Sequence, residues 1–212
     1  LNERRKALEV YVQNVSEQEE ICDAEKLRAK FNNIVAEGIE GVVCKNPSSE
    51  YLIGKRTKDW IKLKNFLTLD LVVLGLYKGE GKAAELPFAA LLLGTKNKGK
   101  YETITKVGVA KKDVIENIYE KIKDFTTDDI PSEVIISGAI NKKTYSGKVP
   151  FCYIQPSKSV VVEIEVLNIT RSKNWHSCGL QNGEAYSLRI PIVKNVREDK
   201  KFKDCATTQQ IA

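Results

Sequence analysis

The chain has 212 residues, of which 42% are hydrophobic and 29% are charged, and this balance excludes a protein that is disordered throughout. Its 34 lysines and arginines exceed its 28 acidic residues, and the net charge of +6 permits phosphate or nucleic-acid binding without establishing it. No segment approaches the roughly 18 consecutive apolar residues of a membrane helix. The N-terminus also lacks the apolar segment of a secretory signal peptide.

Two features of the composition bear on the origin of the chain. The five cysteines are widely spaced and odd in number, which argues against a disulfide framework and a zinc site and favours a reduced, intracellular compartment. The sequence contains no methionine. We therefore expect a chain that was processed, or a piece of a longer protein.

The first part of the chain is predicted to combine two helices with short strands. Apolar residues at helical spacing predict the helices, and Asp23 is the expected cap of the second. The helices cover 3–13 and 24–37, and the strands cover 15–22, 39–45 and 60–64. In the last strand apolar and basic residues alternate, so Lys62 and Lys64 are expected on the same face.

After residue 66 the sequence changes to several strands around one helix. The predicted strands cover 70–77, 87–94, 101–108, 134–137, 152–154, 160–169 and 185–190, and the helix covers 111–125. Short strands interrupted by a single helix favour a small closed barrel of the OB type, which often binds nucleic acids. Other small barrels fit the pattern nearly as well.

Three short motifs follow one another along the chain. They read Glu-Gly-Val-Val-Cys-Lys at 40–45, Trp-Ile-Lys-Leu-Lys at 60–64, and Arg-Ile-Pro at 189–191 with Arg-Glu-Asp-Lys at 197–200. Each is weak alone, because acids before strands are usually solvated and lysines on edge strands often prevent aggregation. Their order and spacing are more specific, and they resemble motifs four, five and six of the ATP-dependent DNA ligases.

The resemblance extends over nearly the whole chain. Residues 1–9 are similar to the helix that follows the third motif group of the family, and residues 206–212 are similar to the tail of replicative ligases of the archaeal and eukaryotic type. It implies an α+β remnant of a nucleotidyltransferase (adenylation) domain at 1–66, followed by an all-β OB-fold barrel with one main helix at 67–212. In motif six the chain has Arg-Ile-Pro-Ile-Val and lacks a second basic residue that the family often has.

The resemblance also implies ATP and Mg²⁺ as cofactors and nicked duplex DNA as substrate. In this family ATP adenylates a lysine, the AMP passes to the 5′-phosphate of a nick, and the 3′-hydroxyl then displaces AMP. Each step is a phosphoryl transfer that develops negative charge on oxygens, so cations must be held in place.

Site residues are expected from the same resemblance. The catalytic set is Lys62, Lys64, Arg197, Asp199 and Lys200, and the cofactor-binding set is Glu40, Lys45, Arg56, Lys62, Lys64 and Arg189. Glu40 is the expected Mg²⁺ ligand, because a partly hydrated magnesium ion takes one or two carboxylates. The expected DNA contacts go mainly to phosphates. Their candidates are Lys82, Lys96, Lys98 and Lys100, with Lys78, Lys142 and Lys143 as further positions.

The nucleophilic lysine of the family lies in Lys-x-Asp-Gly, and the 212 residues contain no Asp-Gly dipeptide. We therefore expect a C-terminal fragment of a ligase that neither adenylates itself nor seals nicks alone. The parent protein is expected to be a monomer that acts in DNA replication, repair and recombination. It would lie inside the cell without membrane contact, in the cytoplasm of an archaeon or the nucleus of a eukaryote. A sliding clamp would bind through the missing N-terminal region.

Two alternatives stay open. A relative of the mRNA capping enzymes or RNA ligases would share these motifs, although the 206–212 tail and the Arg-Glu-Asp-Lys form of motif six favour a DNA ligase. A non-catalytic OB-fold module would bind nucleic acid or protein, but it would have no use for Glu40, Lys62 and Lys64 on an adjoining segment. The single histidine, His176, is interpreted as incidental and not as a general base.

Overall fold

The computed structural model describes residues 1–136, 149–173 and 176–212. The chain divides into two compact units, Leu1–Asn65 and Phe66–Ala212. No helix in the described part of the chain is both long and apolar enough to cross a membrane. All five cysteines are free thiols.

The first unit contains two helices and a β-hairpin. The helices are α1 (Asn2–Tyr11) and α2 (Ala24–Ala36), and the strands are β1 (Gly41–Lys45) and β2 (Trp60–Lys64). The Asp23 carboxylate accepts a hydrogen bond of 2.8 Å from the backbone N–H of Lys26, so it caps α2 as predicted. The predicted strand at 15–22 is wrong, since this acid-rich segment has no regular structure and pairs with no described strand.

The second unit is built from ten strands and two helices in the described residues. The strands are β3 (Leu67–Tyr77), β4 (Ala90–Asn97), β5 (Lys100–Gly108), β6 (Thr126–Thr127), β7 (Val134–Ile135), β8 (Cys152–Ile154), β9 (Val161–Val166), β10 (Asn168–Lys173), β11 (Glu184–Arg189) and β12 (Ile192–Val196). The helices are α3 (Lys112–Ile122) and the short α4 (Thr208–Ile211). The segment predicted as one strand at 160–169 is two strands, and β12 was missed.

The strands of the second unit form one curled sheet and a separate hairpin. The main path runs β12-β9-β3-β4-β5-β7, with β8 pairing to β3 and β6 to β8. β10 and β11 form the antiparallel hairpin. The predicted fold class is therefore confirmed as a mixed α+β chain whose second unit is a curled sheet with one main helix.

β3 lies at the centre of this sheet and is buried on both faces. Residues from Leu71 to Tyr77 are all buried, and the side chains alternate between two apolar clusters. α3 adds Ile115, Ile118 and Ile122 to one of them. The continuous apolar run of β3 is thus explained, because a central strand covered on both sides shows no polar alternation.

The C-terminal segment is part of the same unit. Ile211 is 5% exposed within the core, and Thr208 donates a hydrogen bond of 2.8 Å to the buried carboxylate of Glu102. Asn97 Nδ2 at 2.8 Å and the backbone N–H of Gly179 at 3.0 Å also donate to Glu102. The buried charge is therefore satisfied by three donors, as a buried carboxylate requires.

His176 gives the second unit a testable pH dependence. It is 4% exposed, and burial lowers its pKa from 6.5 to about 4. Between these values the unfolded chain binds a proton that the folded chain does not, so stability falls as the pH drops through this window. The total decrease in the free energy of unfolding is about 3 kcal/mol once the pH is below both values.

We expect His176→Gln to flatten this part of the profile, because glutamine does not titrate. Urea unfolding between pH 7 and pH 4 measures the effect. Carboxylates titrate equally in both proteins, so only the difference between the profiles counts. Parallel profiles in the two proteins would contradict the prediction.

Candidate functional site

The residues of motifs four and five meet on the hairpin of the first unit. β1 and β2 are antiparallel, with Val43 opposite Lys62, Gly41 opposite Lys64, and Lys45 opposite Trp60. In this register Lys45, Lys62 and Lys64 share one face. The hairpin therefore gathers three of the predicted cations from motifs that are separated in sequence.

Each of these cations has a different environment. Lys64 Nζ forms a salt bridge with the Glu40 carboxylate, and the two side chains are 28% and 48% exposed. Lys45 Nζ lies 4.5 Å from the centroid of the Trp60 ring. Lys62 is exposed and has no carboxylate partner among the described residues. Lys62 is thus the cation of the hairpin that is most open to an added anion.

Gly41 explains why glycine follows the acid in motif four. Its φ of +149° is rarely adopted by residues with side chains, and an added Cβ would lie 2.1 Å from the carbonyl oxygen of Leu63. The close approach lets β1 and β2 pair directly after Glu40, whose carbonyl accepts the backbone N–H of Asn65 at 3.4 Å. Any side chain at this position would displace the start of the hairpin.

The loop between β1 and β2 is closed at its base by polar contacts. Asn46 donates its backbone N–H to the Asp59 carbonyl at 2.8 Å and its Nδ2 to the Asp59 carboxylate at 3.0 Å. Hydrogen bonds from Thr57, and then from Asn46, lower the pKa of the Asp59 carboxyl. Arg56 lies exposed in this loop, and no described side chain fixes its guanidinium.

The predicted residues of motif six form a charge cluster in the second unit. Arg197 follows β12, and its Nη1 donates to both carboxylate oxygens of Asp70 at 2.9 and 3.0 Å. Its Nε and Nη2 donate to the two oxygens of Asp199 at 2.9 and 2.7 Å. Lys200 Nζ donates to Asp70 at 2.6 Å. The structure therefore brings Arg197, Asp199 and Lys200 together, with Asp70 beneath them.

The charges of this cluster stabilise one another. The hydrogen bonds with Arg197 lower the pKa of the Asp199 carboxyl to about 2. Asp199 and then the charge of Asp70 raise the pKa of Arg197. Arg197 and Asp199 are consequently ionised at neutral pH.

Asp70 was missed at the level of sequence. It lies in β3, where the neighbouring residues Leu69 and Leu71 are apolar, and its side chain is 16% exposed. The available signal was a single carboxylate within a strand that is otherwise apolar, since such a charge needs a partner. Glu163 on the neighbouring strand also lies near, with its carboxylate 3.8 Å from Arg197 Nη1.

Arg189 is not joined to this cluster by any contact in the described residues. It ends β11 with an exposed side chain, and its backbone carbonyl accepts the N–H of Leu167 at 3.0 Å. The chain then turns at Ile190, whose φ is +52°. The role of Arg189 in nucleotide binding stays a prediction.

The predicted DNA-binding lysines lie mainly on the turn between β4 and β5. Lys96 pairs with Tyr101 in the strand register, Lys98 occupies the turn with a φ of +46°, and Lys100 Nζ donates to the Ser132 carbonyl at 3.0 Å. Lys82 is exposed elsewhere, in a short 3-10 turn.

Of the further candidates, Lys78 Nζ lies 4.7 Å from the ring centroid of Phe151. Lys142 and Lys143 lie outside the described residues.

Comparison with known families agrees with both units. Residues 1–64 match the family described as "ATP dependent DNA ligase domain", and residues 85–200 match the "ATP dependent DNA ligase C terminal region". The chain belongs to the ATP-dependent DNA ligases. Motifs four, five and six therefore lie within segments that are characteristic of this family.

Individual ligases are similar over most of this chain. A probable DNA ligase of Dictyoglomus thermophilum is 33% identical over 199 residues, which cover 89% of this chain and 32% of the relative. DNA ligase 1 of Methanosarcina mazei is 34% identical over 198 residues, which cover 88% of this chain and 32% of the relative. This ligase-family chain thus spans 32% of the length of these relatives.

A solved structure supports the fold. The structure named Pmar-Lig_Pre has a TM-score of 0.57 and 20% sequence identity, with 93% of this chain and 38% of that chain covered. At this identity the likeness concerns the fold alone.

The Asp70 cluster predicts a stability effect in this member of the ligase family. Asp70→Asn removes the charge that holds Arg197 and Lys200, and we expect the free energy of unfolding to fall by about 1–3 kcal/mol. Urea unfolding followed by circular dichroism measures the change.

Glu165→Gln is the matched control, because Glu165 on β9 pairs with Lys194 at 3.0 Å and is 33% exposed. It removes the same charge from a more exposed pair, and we expect a loss below about 1 kcal/mol. Equal losses in the two variants would show that Asp70 contributes no more to the free energy of unfolding than a more exposed carboxylate does.

Proposed function

We propose that this chain is part of an ATP-dependent DNA ligase that seals nicks in duplex DNA through enzyme–AMP and DNA–adenylate intermediates. In this proposal residues 1–66 are the C-terminal part of the nucleotidyltransferase domain and residues 67–212 are an OB-fold domain with motif six. The observation that carries the proposal is the hairpin of β1 and β2, which collects the acid and the cations of two ligase motifs on one element. The parent protein would act in DNA replication, repair and recombination.

The hairpin residues are suited to bind the phosphates of ATP. Lys62 presents an exposed ammonium group on the face that it shares with Lys64. A phosphate that approaches this face meets two cations from neighbouring positions on one strand, and negative charge that develops during transfer would be stabilised there. Lys45 and Arg56 would add positive charge from the other end of the hairpin and from its loop.

Glu40 is suited to a magnesium ion that keeps most of its water. It offers one carboxylate, and no group of three or more His, Cys, Asp or Glu side chains in the described residues is arranged to hold a metal ion. Mg²⁺ commonly takes one or two carboxylates together with substrate phosphates and waters, so a single carboxylate fits. The ion would neutralise charge on the transferring phosphate.

An exchange of ionic partners would keep both Glu40 and Lys64 paired with an opposite charge when a nucleotide binds. In the free chain each neutralises the other through their salt bridge. When a magnesium nucleotide binds, Glu40 would turn to the cation and Lys64 to a phosphate oxygen. Each group then replaces one oppositely charged partner with another, so neither is left desolvated and unpaired.

In the second unit, Arg197 and Lys200 are proposed to bind the pyrophosphate part of ATP, with Arg189 contributing from β11. The turn with Lys96, Lys98 and Lys100, together with Lys82, is proposed to contact DNA phosphates. Such contacts do not depend on base sequence, which suits an enzyme that accepts any nick. A sliding clamp and an intracellular, monomeric state stay part of the proposal for the parent protein.

Incubation with ATP labelled at the α-phosphate tests the reaction. Because the 212 residues contain no Lys-x-Asp-Gly, we expect no label on this chain after denaturation, while a longer ligase that includes the motif is labelled. Retained label would instead identify a nucleophile within this chain, and Lys45 would be the first lysine to replace. The assignment of motif four would then be wrong.

Noncovalent binding of magnesium ATP to this chain tests the hairpin. We expect Lys62→Ala to weaken binding about ten-fold, since a charge-assisted contact to phosphate is worth roughly 1.5 kcal/mol. Lys6→Ala is the matched control, because Lys6 is an exposed lysine on α1. Equal affinity in both variants would exclude Lys62 as a phosphate ligand.

Binding to nicked duplex DNA tests the substrate against the alternatives. We expect replacement of Lys96, Lys98 and Lys100 by glutamine to weaken binding and to make it less dependent on salt, with the slope changing by about one for each phosphate that the variant no longer neutralises. The matched control replaces Lys6, Lys26 and Lys58, which removes the same charge. Preference for triphosphate-ended RNA over nicked DNA would favour a capping enzyme or RNA ligase instead.

A further inference from the structure

The guanidinium of Arg197 has both of its hydrogen-bonding edges occupied by carboxylates. Nη1 contacts Asp70, and the edge formed by Nε and Nη2 contacts both oxygens of Asp199. Two parallel N–H bonds to two oxygens are also the way in which arginine binds a phosphate. Asp199 therefore occupies the place that a bidentate phosphate would take.

The two carboxylates differ in how firmly they are held. Asp70 lies on the central strand β3, is 16% exposed, and also binds Lys200. Asp199 is 64% exposed and lies two residues after Arg197, beyond the end of β12. Turning its side chain into water costs little, because exposed ion pairs are weak. Asp199 is thus the replaceable partner of Arg197, and Asp70 is the fixed one.

The cluster as it stands has no excess positive charge to attract an anion. The cations of Arg197 and Lys200 are matched by the carboxylates of Asp70 and Asp199, and Glu163 lies 3.8 Å from Arg197. The lowered pKa of Asp199 keeps it charged throughout the neutral range. An added phosphate can bind the Nε–Nη2 edge of Arg197 only when Asp199 leaves it.

We propose that Asp199 is an internal competitor for phosphate at Arg197. It occupies the Nε–Nη2 edge of the guanidinium until a polyphosphate displaces it. Asp70 holds the guanidinium and Lys200 in position while the exchange occurs. The inference rests on the proposed function, in which these two cations bind the phosphates of ATP. It adds a regulation of that site, because any anion that binds this edge of Arg197 must first displace Asp199 and therefore binds more weakly than it would without this carboxylate.

The test compares the affinity of the whole chain for inorganic tripolyphosphate at low ionic strength, measured by calorimetry. We expect Asp199→Asn to bind the probe about three-fold more tightly than the wild type, which corresponds to the worth of an exposed ion pair. Asp199→Ser, which has no amide oxygen to compete, should show at least the same gain. Because Asp199 is exposed, we expect both variants to fold normally, and circular dichroism checks this.

Glu198→Gln is the matched control. Glu198 is the preceding residue, is 62% exposed, and pairs with Lys121 at 2.9 Å instead of Arg197. It changes the net charge of the chain by the same amount, so a general charge effect would appear equally in both variants. Equal gains in Asp199→Asn and Glu198→Gln would overturn the proposal, and so would weaker binding in Asp199→Asn.

Arg197→Gln separates this inference from the proposed function. If Arg197 is a phosphate ligand, Arg197→Gln weakens binding and also abolishes the gain of Asp199→Asn in the double variant. If Arg197→Gln leaves the affinity unchanged, or if neither wild type nor Asp199→Asn binds the probe, motif six is not an anion site and the proposed function of Arg197 fails. If Arg197→Gln weakens binding but Asp199→Asn shows no specific gain, Arg197 remains a phosphate ligand and only the proposal that Asp199 competes with phosphate is overturned.

Discussion

The carboxylate of Asp70 joins motif six to the central strand of the second unit. It lies on the central strand, where it is mostly covered, and therefore must be paired with cations. Arg197 and Lys200 supply them, and the backbone carbonyl of Asp70 also accepts the N–H of Ala206 at 2.7 Å. One residue of β3 thereby contacts the chain at Arg197, Lys200 and Ala206. The position of motif six follows from a charge that must be satisfied in the middle of the sheet.

The sequence was informative wherever local pattern determines structure. The apolar run of β3, the amphipathic α3 and the Asp23 cap of α2 each follow from residues close together in the chain, and these elements were predicted. The strand at 15–22 was wrong, because a strand also needs a partner, which local pattern does not supply. The division between β9 and β10 at Leu167 likewise reflects pairing with two different strands, β3 and β11.

In the candidate site, too, local sequence pattern predicts less than the pairing between distant residues determines. Motifs identified the charged residues, but their partners are set by pairings over long sequence distances. Lys64 contacts Glu40 because the hairpin register places Gly41 opposite Lys64, and Gly41 allows that close approach. Asp70 was missed because its partner Arg197 lies 127 residues further along the chain. Residue type thus indicates the chemistry, whereas register and tertiary pairing determine which charges are already neutralised.

The two units also hold their charged residues by different means. In the described residues of the first unit no apolar side chain is fully buried, while the second unit contains both apolar clusters. The hairpin residues are therefore positioned mainly by backbone pairing, Gly41 and the polar closure between Asn46 and Asp59. Motif six is positioned by a sheet with a dense core and by a partly buried carboxylate. We infer that substitutions in the hairpin change local geometry first, whereas loss of Asp70 changes the stability of its whole unit.

Each unit nevertheless pairs some of its candidate phosphate-binding cations with carboxylates. Lys64 is held by Glu40, and Arg197 and Lys200 by Asp70 and Asp199. Neighbouring cations repel one another, so internal carboxylates keep them close together without that cost. In the function proposed above, a phosphate that replaces an exposed carboxylate would enter a site whose cations are already in place, and less conformational entropy would be lost on binding. The carboxylates of these motifs therefore hold the cations at fixed positions, and on the proposed function this arrangement precedes phosphate binding.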